Sequence, residues 1–208
     1  MLNFTIITAG GIVMIPLSII AIIALAIIFD KLFFSKKFNQ YPEKLAEIIE
    51  TYNFDWKIFS QELKKINHKN YYYKFFKALD ENKSRPTWWL ESRASDEAKI
   101  IEKNLNNNLW ILETITTSAP LLGLLGTIFG MMSSFKIIGA NDIINPNGVT
   151  AGVAESLIAT AFGLIIALIT LCAFNYFSKI QNQIIDDLER FGTKIIEHLK
   201  IDNKIHEN

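Results

Sequence analysis

The chain has 208 residues, balances 21 basic against 21 acidic side chains, and carries one cysteine and three histidines. Even charge excludes binding to nucleic acid through a net basic stripe, and a lone cysteine excludes a disulfide framework or a thiolate metal site. Half of the residues are hydrophobic, and they are segregated along the chain as a soluble domain of this length would not segregate them.

Residues 1–29 contain no charged side chain, and neither do 114–135 or 156–178. Crossing about 30 Å of hydrocarbon takes a helix of roughly 20 apolar residues, so three membrane spans are expected. The first run lacks a basic start, is too long for a signal peptide and meets no small-x-small cleavage site before Asp30, so it reads as a retained span. Gly10, Gly11 and Pro16 fall in its outer half, where neighbouring helices can re-satisfy the carbonyl that a proline frees. From Ile19 to Phe29 the run is Ile, Ala and Leu without a polar stripe, as suits a peripheral, lipid-facing helix.

The loop 30–108 is polar but keeps apolar residues at helical spacing. Pro42 opens a predicted helix running to about Tyr52. Asp55 caps another with Trp56, Phe59, Leu63 and Ile66 on one face. Tyr71, Tyr72, Tyr73, Phe75 and Phe76 either pack against a neighbour or the membrane interface, or form the ordinary core of a small helical subdomain. After Pro86, Leu90, Ala94, Glu97, Ile101, Leu105, Asn108 and Leu112 recur every three or four residues with no Gly or Pro before Pro120. One continuous helix is therefore expected from about Thr87 into the second span.

The second span, 109–135, carries Glu113, Thr116, Pro120, Gly123, Thr127, Gly130 and Ser134 on one face, with Leu, Ile, Phe and Met between them. A connection, 136–148, leads to the third span, 149–177. There Gly152, Ser156, Ala159, Gly163, Ala167 and Thr170 form a small, polar sector around and between Glu155 and Thr160. Glu155 has no charged neighbour between Asp142 and Lys179. A charge at the centre of hydrocarbon costs about 2.5–3.5 kcal/mol on insertion scales, so Glu155 must face protein or water. Two readings follow. The pair lines a narrow proton-responsive pore, or it forms a helix–helix interface in which Gly permits close approach and Glu155 bonds a neighbour. At about 1.5 Å per residue, Thr127 falls at a depth between Glu155 and Thr160, so the three are candidates for a polar belt. Glu155 and Thr160 nevertheless lie about 140° apart around a helix.

Beyond the third span, Phe177, Ile180, Ile184, Leu188, Phe191, Ile195 and Leu199 keep helical spacing, so this helix is expected to continue through 178–208 as an amphipathic extension. Gly192 weakens it slightly. Such stripes need a partner surface, and other subunits are a natural one. All Lys and Arg except Lys136 lie in 30–108 or after 177. Lys31, Lys36, Lys37, Lys103 and Lys179 flank span ends, which places both segments in the cytoplasm and the N-terminus and 136–148 outside. The fold class is thus all-α: a polytopic membrane protein with three transmembrane helices, spans 2 and 3 extended into a cytoplasmic helical bundle. No Gly-rich phosphate loop, Ser/His/Asp arrangement or metal-ligand spacing occurs, so no enzyme activity, cofactor or metal is expected. His68, His198 and His206 read as surface residues, and Cys172 as an inert packing residue.

Two blocks are specific in order and spacing. One is Leu112-Glu-Thr-Ile-Thr-Thr-Ser-Ala-Pro-Leu-Leu-Gly-Leu-Leu-Gly-Thr-Ile-Phe-Gly-Met-Met-Ser-Ser-Phe135, the other Gly152-Val-Ala-Glu-Ser-Leu-Ile-Ala-Thr-Ala-Phe-Gly-Leu164. Together they resemble the signature of the MotA/TolQ/ExbB proton-channel family, over residues 104–176 and weakly in the loop. The three spans are similar to ExbB and TolQ rather than to four-span MotA. The resemblance implies an inner-membrane homopentamer around the single spans of ExbD- or TolR-like chains, driving a TonB- or TolA-like transducer. It also implies pore-lining positions at Thr127, Glu155 and Thr160, the family proline at Pro120, and a proton-carrying aspartate on the partner. ExbB-like outer-membrane transport, TolQ-like envelope maintenance and a non-conducting membrane scaffold remain the alternatives. A permease is disfavoured by three spans without inverted repeats.

Overall fold

The computed structural model describes residues 11–38, 40–52, 54–140 and 146–206. Gly10, the start of the first expected span and positions 141–145 of the connection lie outside the described residues. Seven helices and no strand occur among the described residues: α1 Met14–Phe38, α2 Glu43–Glu50, α3 Trp56–Leu63, α4 Tyr71–Asp80, α5 Thr87–Asn106, α6 Leu109–Ala140 and α7 Pro146–His206. They divide into two compact units, Met1–Phe29 with Asn108–Phe177, and Asp30–Asn107 with Ser178–Asn208.

The first unit is built from the helices long and apolar enough to span a bilayer, in segments Met14–Phe33, Leu109–Phe135 and the first part of Thr150–Ile201. Its packed interior includes Val13 just before α1, Met14, Leu17 and Ala24 of α1, Leu112, Ile115 and Ala119 of α6, and Ala159, Ile166 and Ala167 of α7. Large apolar side chains such as Ile22, Leu124, Phe129, Leu157 and Leu168 point outward. This inverts the usual soluble pattern, as hydrocarbon surroundings allow. Cys172 is also exposed, so it is not the packing residue expected from its mid-span position.

Among the described residues, α1 begins at Met14. Gly11, at φ +71°, heads a turn in which the Met14 N–H donates to its carbonyl at 3.1 Å. Pro16 therefore sits in the first helical turn, where an N–H would have no partner within the helix, and it needs no rescue by neighbouring helices.

In the second unit every short helix supplies part of one core. Leu45 and Ile49 come from α2, Phe59 and Leu63 from α3, and Tyr72, Phe75, Phe76 and Leu79 from α4. Leu90, Ala94, Ile101 and Leu105 come from α5, and Ile184, Leu188, Phe191, Ile195 and Leu199 from α7. The stripes expected to seek other subunits are thus buried within the chain, and the aromatic run is ordinary core. Phe76 meets Phe59 edge-on at 5.6 Å and lies tilted against Phe191 at the same distance. Asp55 caps α3 by accepting from Lys57 N–H at 2.7 Å, and Asn70 caps α4 by accepting from Tyr72 N–H at 2.9 Å. Gly192 leaves room for Phe75, whose ring edge would stand 3.1 Å from a Cβ at that position. His198 is half-buried rather than on the surface: its ring stacks on Phe54 and its Nε2 lies 2.9 Å from the Ile49 carbonyl oxygen.

α7 continues without interruption for 61 residues, as the spacing predicts. α5 does not run into α6. The chain leaves the helix at Asn107, and Asn108 takes a left-handed conformation, φ 66°. Asparagine visits that region several-fold more often than most residues, so the run Asn106-Asn107-Asn108 ends a helix that apolar periodicity alone would continue. Lys31 donates to the carbonyl of Leu105 at 2.6 Å, near the end of α5 where carbonyls lack helical partners.

Candidate functional site

Within the first unit, α6 and α7 meet along their smallest side chains. A Cβ at Gly123 would stand 3.0 Å from Thr160 Cα and 3.1 Å from the Ala159 carbonyl oxygen; at Gly126, 2.6 Å from Ala159 Cβ; at Gly130, 2.8 Å from Ser156 Cβ. A Cβ at Gly163 would press on the Ala119 carbonyl oxygen at 2.5 Å, and one at Gly152 would overlap Ser134 Oγ. Where no water is released on association, such close backbone approach and inter-helix hydrogen bonds hold helices together. Polar contacts also cross the seam. Thr160 donates to the Gly123 carbonyl at 3.0 Å, and the Thr116 and Thr170 hydroxyls lie 3.1 Å apart. Ser134 and Ser156 donate to carbonyls of their own helices, at Gly130 and Val153.

Thr116, Gly123, Gly130 and Ser134 thus face Gly152, Ser156, Gly163 and Thr170 across a tight junction inside one chain. Pro120 is half-buried in the interior of α6. Thr127 is half-buried beside the seam and donates to the Leu124 carbonyl of its own helix at 2.7 Å. Glu155 leaves α7 in another direction, and its carboxylate lies directly against Gly11. No hydrogen bond joins Thr127, Glu155 and Thr160 to one another among the described residues, as the wide angle between Glu155 and Thr160 on the helix requires. Gly11 and Ala119 belong to the site beside the residues singled out from sequence. Ala119 continues the same spacing; nothing in the spacing points to Gly11.

The site therefore joins one acid, a row of hydroxyls and closely apposed backbones, in helices that can cross a bilayer. No metal-binding cluster occurs among the described residues. Residues 57–190, which contain Thr127, Glu155 and Thr160 but not Gly11, match the MotA/TolQ/ExbB proton channel family.

The chain belongs to the MotA/TolQ/ExbB family.

Relatives in that family include an ExbB-like biopolymer transport protein of Synechocystis sp., 33% identical over 178 residues, 83% of this chain and 83% of that protein. ExbB of Aquifex aeolicus is 38% identical over 87 residues, 41% of this chain and 59% of the relative. TolQ of the Tol-Pal system of Pseudomonas aeruginosa is 34% identical over 102 residues, 48% of this chain and 44% of that protein. The matches to the latter two cover less than two thirds of each. Membership of this family, with three helices able to span a membrane, makes the chain a proton-channel-type motor subunit of the bacterial inner membrane.

Proposed function

We propose that this chain is an ExbB-like subunit that couples proton-motive force to TonB-dependent transport across the outer membrane. Glu155 carries the reading: it is an acid among small and hydroxylated residues of spanning helices, a placement that marks ion and proton pathways. Each elementary charge crossing the membrane releases about 2.3 kcal/mol per 100 mV. Because α6 and α7 seal against each other within one chain, the pore opens between copies, with Thr127 and Glu155 at the flanks of the seam and Thr160 bonded across it to the Gly123 carbonyl. Five copies enclose the single spans of two ExbD- or TolR-like chains, whose intramembrane aspartate takes the proton. The N-terminus and 136–148 face the periplasm, and 30–108 and 178–208 face the cytoplasm. The similarity to ExbB proteins favours outer-membrane transport; the similarity to TolQ supports the second reading, a motor for envelope maintenance with a TolA-like transducer.

The test is energised uptake in cells carrying Glu155→Gln or Thr127→Val. Both variants are expected to assemble normally and to lose uptake. Normal uptake by both removes the proton-pathway reading. Loss of envelope integrity with uptake intact selects the TolQ-like role.

A further inference from the structure

The first span looks peripheral by composition, yet its first turn touches the intramembrane acid. At Gly11 the backbone adopts φ +71°, which side-chain-bearing residues rarely occupy. The absent side chain leaves room for the Glu155 carboxylate. A Cβ there would overlap Oε1 and stand 3.3 Å from Cδ and 3.7 Å from Cγ. The turn is fixed on both sides. Its carbonyl accepts the Met14 N–H, and the next turn is anchored by Val13, Met14 and Leu17, all buried in the membrane unit. Val13 packs over Gly126, where a Cβ would lie 3.7 Å from its own Cβ. The backbone against Glu155 therefore has little freedom to retreat.

We propose that Gly11 is a positioning residue for Glu155: the first span holds the carboxyl group at a set place and orientation on α7, through a contact only glycine allows. This makes the first span part of the proton machinery rather than a lipid anchor. The assignment rests on the proton role given to Glu155 above, and it adds a residue outside the segment that matches the family.

The test uses the full-length chain, with whatever chain co-purifies with it, reconstituted in lipid vesicles. Gly11→Asn keeps a residue that tolerates positive φ while placing a side chain where the carboxylate sits. It is expected to lower proton flux about tenfold, within the range of coupling between contacting residues. Glu155→Asp withdraws the carboxylate by one methylene. Combined with Gly11→Asn, it is expected to restore flux to the level of Glu155→Asp alone. Infrared spectroscopy gives a second measure. The Glu155 carboxyl band, assigned by its loss in Glu155→Gln, is expected to shift in Gly11→Asn. Unchanged flux and an unmoved band in Gly11→Asn overturn the assignment, as does a loss of flux or assembly that Glu155→Asp does not offset. Full flux in Glu155→Gln instead removes the pathway reading, while the band still reports the contact.

Discussion

Gly163→Ala tests the seam directly. The added methyl would meet the Ala119 carbonyl oxygen at 2.5 Å and Gly123 Cα at 3.2 Å, both backbone atoms that cannot rotate away. Ordinary contact begins near 3.4 Å, so α6 and α7 must part by roughly an ångström at this level. Overpacking of this kind costs about 1–3 kcal/mol. The separation also stretches the Thr160–Gly123 bond, now 3.0 Å, and inter-helix hydrogen bonds in membranes average about 0.6 kcal/mol. Against this stands a helix-propensity gain of about 1 kcal/mol for Gly to Ala. The net expectation is a loss of about 1–2 kcal/mol. Gly192→Ala is the control: its neighbour is the edge of the Phe75 ring at 3.1 Å, which can shift, so the propensity gain leaves it near neutral or slightly stabilising. Reversible unfolding of the purified chain in mixed micelles of rising SDS content, followed by circular dichroism, measures both. Gly163→Ala as stable as the parent, or no worse tolerated than Gly192→Ala, would refute the seam as the determinant.

Two further outcomes concern the second unit and its edge. The Tyr72 hydroxyl donates to Asp187 at 2.8 Å, and its pKa is pushed above the ordinary value of 10, first by burial and then by that carboxylate. A raised folded-state pKa gives stability that is complete below pH 10 and lost as pH climbs toward the folded value. Thermal unfolding of the parent is thus expected to weaken above pH 10, whereas Tyr72→Phe starts about 1.5–3 kcal/mol lower and lacks this part of the slope. At Asn108, Gly is expected to be neutral or stabilising and Ala to cost about 1–2 kcal/mol, because the left-handed conformation penalises a Cβ. Equal denaturant midpoints for Asn108→Gly and Asn108→Ala would contradict the strain at this break.

Much of this architecture is legible in the chain because hydrocarbon and water impose opposite compositions. Spans without charge, the period of α7, the cap at Asp55 and the helix opened by Pro42 all survive comparison with the structure. The break at Asn107–Asn108 was hidden, since Leu105, Leu109 and Leu112 keep the helical step while the backbone departs from it. Gly123, Gly130 and Gly163 announce something narrow, but small residues suit a water-filled lumen and a dry junction equally. Only the atoms facing them, Ala119, Ser156 and Thr160, show which is present within the chain. Gly11 could not be paired with Glu155 by spacing, for they lie on different spans far apart in sequence. Gly192 read as a weak point in a helix because the ring that fills its notch comes from α4.

The two units also differ in what water does when they form. Assembling the aromatic core around Phe76 and Phe191 withdraws apolar surface from solvent, which gives a large heat-capacity change and a stability that curves with temperature. Joining α6 to α7 through Gly123, Gly130 and Gly163 exchanges lipid contacts for backbone contacts and releases almost no ordered water. Its free energy should therefore vary nearly linearly with temperature, leaving the spans associated in the cold where the core of the second unit has begun to lose its driving force.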